Sequence, residues 1–343
     1  MNSAWSARRY PEAVEIYRRM AAELPEEPGI RFNLALALHS MGRYGESTQV
    51  LEKLRAAQGE NPKFWFLLGE GYLKLGEPRK AVEPLHRASE LDPSDANARL
   101  ELASAWLENG DFEKSAALFQ VLADQHPEWP KAWAGLSLSE SGLAREKNAP
   151  AYAVRAAQSK DRLAALPESV EQHEMLARVF GEAGQQTEAI GELRAAAALD
   201  PENSHSQGAL ARSLVANRQF GEAAALLRIL LTKEQDNSEW HFELGDALGE
   251  LGNSRGAIAH LERAVALAPG MLPAQAKLGE ALLRSGSPAA AIPHLERAAP
   301  LDTDGSLHFQ LATAYRRVGK PVLAAKAMAR RAEIQSRAQA NHN

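Results

Sequence analysis

The amino-acid sequence predicts an all-α array of repeated antiparallel helix pairs, and three observations carry that prediction. Glycines 42, 76 and 110 lie 34 residues apart (76 − 42 and 110 − 76), each between two helix-forming stretches. Small and large apolar residues recur at fixed offsets from those glycines. Aromatics make up only 6% of the 343 residues, and no stretch shows the two-residue alternation of a strand. In such an array each unit contacts only its neighbours, so the length does not call for one large core.

Residues 1–25 hold a partial unit, a single second helix that begins near Tyr10 and ends at Pro25. Its partner helix would need residues before Met1, so either an upstream extension or a short cap accounts for it. Residues 26–127 hold three regular units. In each, a leucine and a small residue precede the glycine by eight and seven places: Leu34-Ala35, Leu68-Gly69 and Leu102-Ala103. Five places after it comes another small residue (Ser47, Ala81, Ser115), and four later a large apolar one (Leu51, Leu85, Phe119).

Residues 128–167 form a divergent unit. Trp133 and the equivalent His173 are 40 apart (173 − 133), so six extra residues fall near Ser141–Pro150. They are expected to lengthen the loop between two helices; the alternative is a hinge or a protrusion that faces a partner. Residues 168–336 hold five more units around Gly184, Gly252, Gly286 and Gly319, with Arg218 where the missing glycine would stand and a capping helix in the last unit. A tail covers 337–343.

Glycine supplies the turn between helices at no steric cost. Small residues let the helix axes approach, and leucines and aromatics fill the space between them. Prolines 93, 127, 201 and 269 stop one unit and are expected in the first turn of the next. Pro84 and Pro293 fall inside second helices and should bend them.

These residues resemble the tetratricopeptide repeat. Trp65, Leu68, Gly69, Tyr72, Ala81, Leu85 and Pro93 match its pattern W-x2-L-G-x2-Y…A-x3-F…P, and the match recurs in register through about nine units plus the leading partial one. The resemblance implies an all-α, right-handed superhelical solenoid of antiparallel helix pairs, whose first helices line a concave groove. It further implies a scaffold or adaptor that holds a protein or peptide segment there. A self-associating arm of a larger assembly is the alternative, with Trp5 and the Met328 region as its contact points.

The first-helix stripe beside the buried Leu-small pair gives the candidate partner-binding residues Phe32, Leu36, Lys63, Phe66, Glu70, Lys74 and Leu100, then Arg178, Arg212 and Asp246. Phe32 and Phe66 occupy equivalent places, so their rings are expected to be neighbours. Glu171, Glu174 and Glu182 flank Arg178, while Glu239, Glu243, Glu250 and Glu280 surround Asp246. Such alternation sets the register of a ligand more than its affinity. Tetratricopeptide modules that grip a C-terminal carboxylate need a lysine and asparagine set of which only Asn33 and Lys63 are present here, so binding of chaperone tails is not expected.

No catalytic constellation stands out. The ten histidines include no H-E-x-x-H, since His173-Glu174 lacks the second histidine. No G-x-S-x-G occurs, and Gly319-Lys320 lacks the earlier glycine of a phosphate loop. His86, His260 and His294 read as surface residues of second helices. Neither catalysis, nor a metal, nor a cofactor is therefore expected. The net charge of −5 offers no overall attraction for nucleic acid, although seven Lys/Arg against one acid crowd residues 316–343. No apolar run approaches the ~20 residues of a membrane span, and no signal peptide opens the chain, so a cytoplasmic location is expected.

Overall fold

The computed structural model describes residues 10–24, 26–55 and 59–340; Trp5, Pro25 and residues 341–343 lie outside them. The described residues form α-helices, one short 3-10 turn and no strand. The chain divides into two compact units, Met1–Ala183 and Gly184–Asn343, with the division falling between the two helices of one repeat.

The first unit holds α1 (Tyr10–Glu23), α2 (Pro28–Ser40), α3 (Tyr44–Glu52), α4 (Pro62–Lys74), α5 (Pro78–Leu91), α6 (Ala96–Asn109), α7 (Phe112–Gln125), α8 (Pro130–Glu146), α9 (Pro150–Ala164) and α10 (Val170–Glu182). The second holds α11 (Gln186–Leu199), α12 (Ser204–Ala216), α13 (Phe220–Lys233), α14 (Ser238–Glu250), α15 (Ser254–Leu267), α16 (Leu272–Arg284), α17 (Pro288–Ala298), α18 (Ser306–Arg317) and α19 (Pro321–Ala340). Within each unit helices pack on their sequence neighbours, and successive first helices also touch: α2, α4, α6, α8 and α10 in one, α12, α14, α16 and α18 in the other. That is the stacked order of a helical solenoid.

The turns inside the pairs share one conformation. The seven glycines read from the sequence have φ between 69° and 84°, and Arg218 has φ 59° in the same place. The N–H just past the turn residue donates to the carbonyl five residues back, as in Glu77 to Tyr72 (2.9 Å) and Gln219 to Leu214 (2.8 Å). This satisfies carbonyls that the end of the helix would otherwise leave orphaned.

The recurring small residues mark where helices meet. A Cβ added to Gly69 would lie 2.4 Å from Leu85 Cγ, and Gly245 and Gly279 are covered in the same way by Leu261 and Leu295. Each leucine is the large apolar residue of the second helix, fully or almost fully buried. Where serine replaces alanine in the second helix its hydroxyl is satisfied: Ser47 donates to the Ala35 carbonyl (2.8 Å) and Ser115 to that of Ala103 (2.9 Å).

The six extra residues do not lengthen the loop. The α8–α9 link is residues 147–149, the same three-residue length as the α2–α3 link at 41–43. Instead α8 has 17 residues where α4 has 13. The turn residue is Asn148 (φ 48°), 38 after Gly110 and 36 before Gly184. Four of the six extra residues therefore make one added helical turn, which advances α8 by about 6 Å, and two follow it.

One expectation about proline changes. Prolines 93, 127, 201 and 269 lie in the links, each three residues before the next helix, while a separate set (Pro62, Pro130, Pro288) occupies first helical turns. Helices α5 and α17 continue through Pro84 and Pro293, and Pro84 is buried.

The links also show what the tryptophan place of the repeat does. Nε1 of Trp65 and of Trp133 each donates to the carbonyl six residues back, on Gly59 (3.0 Å) and Pro127 (2.9 Å). Gln207, His241 and Gln275 hold the same place and reach Pro201, Gln235 and Pro269. A side-chain N–H ties α4, α8, α12, α14 and α16 to the link before each.

Candidate functional site

The first-helix faces carry the candidate residues, and the two units differ in charge. In the first unit Leu36 is 42% exposed, Lys63 and Lys74 are exposed, and Glu70 is half-buried. Leu100 is only 6% exposed, packed with Ala103, Phe119 and Leu136, so it offers no contact surface. Phe32 and Phe66 are both partly buried against the core, and the ring that Phe32 meets is Phe64, at 6.4 Å.

Charges on this face pair between helices. Nε2 of His39 on α2 lies 3.2 Å from Glu70 Oε2, and this hydrogen bond holds the Glu70 carboxyl below its usual range. Glu101 on α6 is pushed up, first by burial and then by the charge of Glu70, against the pull of Lys131 and Lys74. Lys131 on α8 pairs with Glu171 on α10 (3.6 Å), and Arg178 on α10 reaches Glu108 on α6 (3.9 Å). A cavity of about 250 Å³ opens beside that last pair, lined by Glu108, Arg178 and Glu182 with Leu107, Leu138 and Arg145. Arg145 stands in the added turn of α8.

In the second unit α14 presents Glu239, Glu243, Asp246 and Glu250. Arg212 on α12 pairs with Glu239 (3.7 Å), and Lys277 on α16 with Asp246 (2.6 Å). Asp246 is thus already engaged, its side chain 18% exposed. Glu243 lies between these pairs with no hydrogen bond or ion pair of its own. Burial pushes its carboxyl up to about 6, helped by Asp246 and Glu239 and opposed by Arg212. Arg178 and Arg212 belong to different units, each with its own acidic partner.

Lys131, Glu108 and Lys277 were not among the residues read from the sequence. The repeat itself held a signal for one of them, since Lys277 stands 34 residues after Glu243 and so shares its place. His260 and His294 are partly exposed but bonded to first-helix side chains. His260 Nδ1 meets His241 Nδ1 at 3.0 Å, and His294 Nδ1 meets Gln275 Oε1 at 2.7 Å, while His86 is exposed and at a different repeat place. His241 Nε2 and Gln275 Nε2 are used as donors to carbonyls, so His241 Nδ1 and Gln275 Oε1 accept, and both second-helix histidines donate. Among the described residues no group of three or more His, Cys, Asp or Glu could hold a metal ion, and no helix is long and apolar enough to cross a membrane.

Known proteins share this pattern. The chain is 26% identical over 154 residues to the human protein O-mannosyl-transferase TMTC1, covering 44% of this chain and 18% of that protein. It is 26% identical over 221 residues to a Drosophila melanogaster BBSome complex member BBS4 homolog, covering 64% and 44%. The chain thus spans less than half the length of either relative. In fold it is similar to the human IFIT1 dimer solved with m7Gppp-AAAA, at a TM-score of 0.53 and 18% identity over 96% of this chain and 82% of that one. Profiles described as tetratricopeptide repeat match residues 4–71, 66–130, 209–271 and 242–306. With those matches over most of its length and the stacked helix pairs beneath them, the chain belongs to the tetratricopeptide-repeat family.

Proposed function

We propose that this chain is a non-catalytic adaptor whose first-helix faces hold a segment of a partner protein, and that the segment presented to α12, α14 and α16 is basic. Tetratricopeptide-repeat proteins serve generally as protein-interaction scaffolds, and the match to a BBSome complex member is in keeping with a place in an assembly. The observation that carries the reading is Glu243, a half-buried carboxylate without a partner among four acidic side chains of one helix. A lysine or arginine of the partner would supply the direct ion pair that Arg212, engaged with Glu239, does not make. In the first unit Lys63, Phe66, Glu70 and Lys74 along α4, with Arg178, offer both signs of charge and set the direction of the segment.

A protein is favoured over RNA because, among the described residues, no first-helix face carries a continuous basic stripe; of the basic residues crowded after position 315, only Arg316 and Arg317 lie on a first helix, at the C-terminal end of α18. Fluorescence anisotropy of a lysine-rich peptide, with its glutamate counterpart as control, tests the proposal. Binding should favour the lysine peptide and weaken about tenfold in Glu243→Lys, through lost attraction. Equal affinity for both peptides, or no response to the substitution, would refute it. Self-association is the second reading, favoured by Val322 (80% exposed) and Met328 (37%) on α19. Light scattering that rises with concentration and is abolished by Val322→Asp would establish it instead.

A further inference from the structure

The repeat that begins with α6 lacks the tie described above. Arg99 holds its tryptophan place (99 − 65 = 34), yet the carbonyl of Pro93 receives no bond from it, and its Nε is buried without any hydrogen-bond partner. In later repeats the residue 19 places further on, on the second helix, bonds to this side chain, as His260 does to His241 and His294 to Gln275. Here that residue is Leu118, which has nothing to offer a guanidinium.

A groove of about 590 Å³ opens at this point between the second helices α5 and α7, with Arg99, Leu102 and Trp106 of the first helix α6 beneath it, and none of its lining residues is among the first-helix candidates described above. Trp106 and Leu118 line it, with Val121 43% exposed at its edge. The ionisable side chains that line it are His86, Arg99 and Lys114, with no carboxylate among the lining residues. Lys114 contacts only a ring, with its Nζ 6.0 Å from the centre of Trp106. The groove is in the size range of ligand sites and combines an apolar floor with two cations that no carboxylate neutralises.

We propose that this groove docks an acidic amphipathic helix of a partner protein, with one or two large apolar side chains over Trp106 and Val121 and a carboxylate on Arg99. The apolar residues would supply affinity and the carboxylate the orientation, as at other interfaces with an aromatic floor and a charged rim. The adaptor would then engage a second partner on a face separate from the first.

Two display libraries of helical peptides panned on the full chain test this. Both vary Leu, Phe and Trp at i, i+3 and i+4; one carries Glu and Asp on the flanks, the other Lys and Arg. Enrichment is expected from the acidic library alone. Affinity of the selected peptides should fall at least about tenfold in Arg99→Glu and in Val121→Asp, as expected for a charge reversal and a polar insertion at a contact. It should survive Arg99→Lys, which keeps the charge, and Glu243→Lys, which alters the other face. Unchanged melting by circular dichroism shows that the variants remain folded. Equal enrichment from both libraries, no enrichment from either, or binders indifferent to Arg99→Glu would overturn the proposal. So would concentration-dependent light scattering that Val121→Asp abolishes, because a second copy of the chain would then be the occupant.

Discussion

Replacing Gly69 by alanine should destabilise the protein even though alanine is the better helix former. The new Cβ would stand 2.4 Å from Leu85 Cγ, 2.8 Å from its Cδ2 and 3.2 Å from its backbone nitrogen. Leu85 is completely buried, so it cannot swing away, and the backbone contact means α5 itself must shift. Overpacking of this kind costs about 1–3 kcal/mol, against a helix-propensity gain of about 1. Gly191 in α11 isolates the two effects, because it is exposed, has a helical backbone and has nothing within 4 Å of an added Cβ. Gly191→Ala should therefore gain up to about 1 kcal/mol. Urea unfolding followed at 222 nm should move the two midpoints in opposite directions. If Gly69→Ala proves as stable as the parent, or if trimming Leu85 to valine does not reduce its cost, the glycine is not there for helix approach.

The other predictions concern single turns and protons. Arg218→Gly should raise the melting temperature, since a left-handed non-glycine residue costs about 1–2 kcal/mol and the exposed 3.9 Å pair with Glu250 returns little. Asn148→Gly should gain less, because asparagine tolerates that conformation. His260 has its pKa lowered by burial, then by His241 and Arg228, so the unfolded chain binds its proton first. It should therefore subtract stability as pH falls below about 6.5, where an unperturbed histidine begins to titrate. Glu243 works the other way: its folded value of about 6 exceeds the ordinary 4.5, so stability from this group rises as pH falls from above 6 towards 4.5. Melting curves of His260→Gln and Glu243→Gln across pH 4.5–7.5 should diverge from the parent with opposite slopes.

The helical period was legible because it rests on packing that leaves a trace at fixed spacing. Gly69 and Leu85, chosen from the sequence as the small and large members of the motif, meet in the folded unit. Arg218 was recognised as a turn residue by counting alone, and its backbone agrees. What the spacing could not give was the fate of residues whose role depends on a partner far away in sequence. Leu100 sits at the same repeat place as Phe66 but is buried, because Phe119 and Leu136 close over it. The extra residues near Asn148 kept helix-forming composition, so a count of places could not tell a loop from an added turn. The charge pairs were invisible for a similar reason: Arg178 reaches Glu108 across 70 positions (178 − 108), a distance that only the stacking of α6, α8 and α10 makes short.

The side-chain N–H that fastens α4, α8, α12, α14 and α16 to their preceding links has a consequence for how such repeats are recognised. Tryptophan, glutamine and histidine all perform it within this one chain, so the joint can be made by any proton donor at one location and not only by the ring through which such repeats are usually spotted. Units of unlike appearance can therefore stand side by side in one array while their joints remain interchangeable.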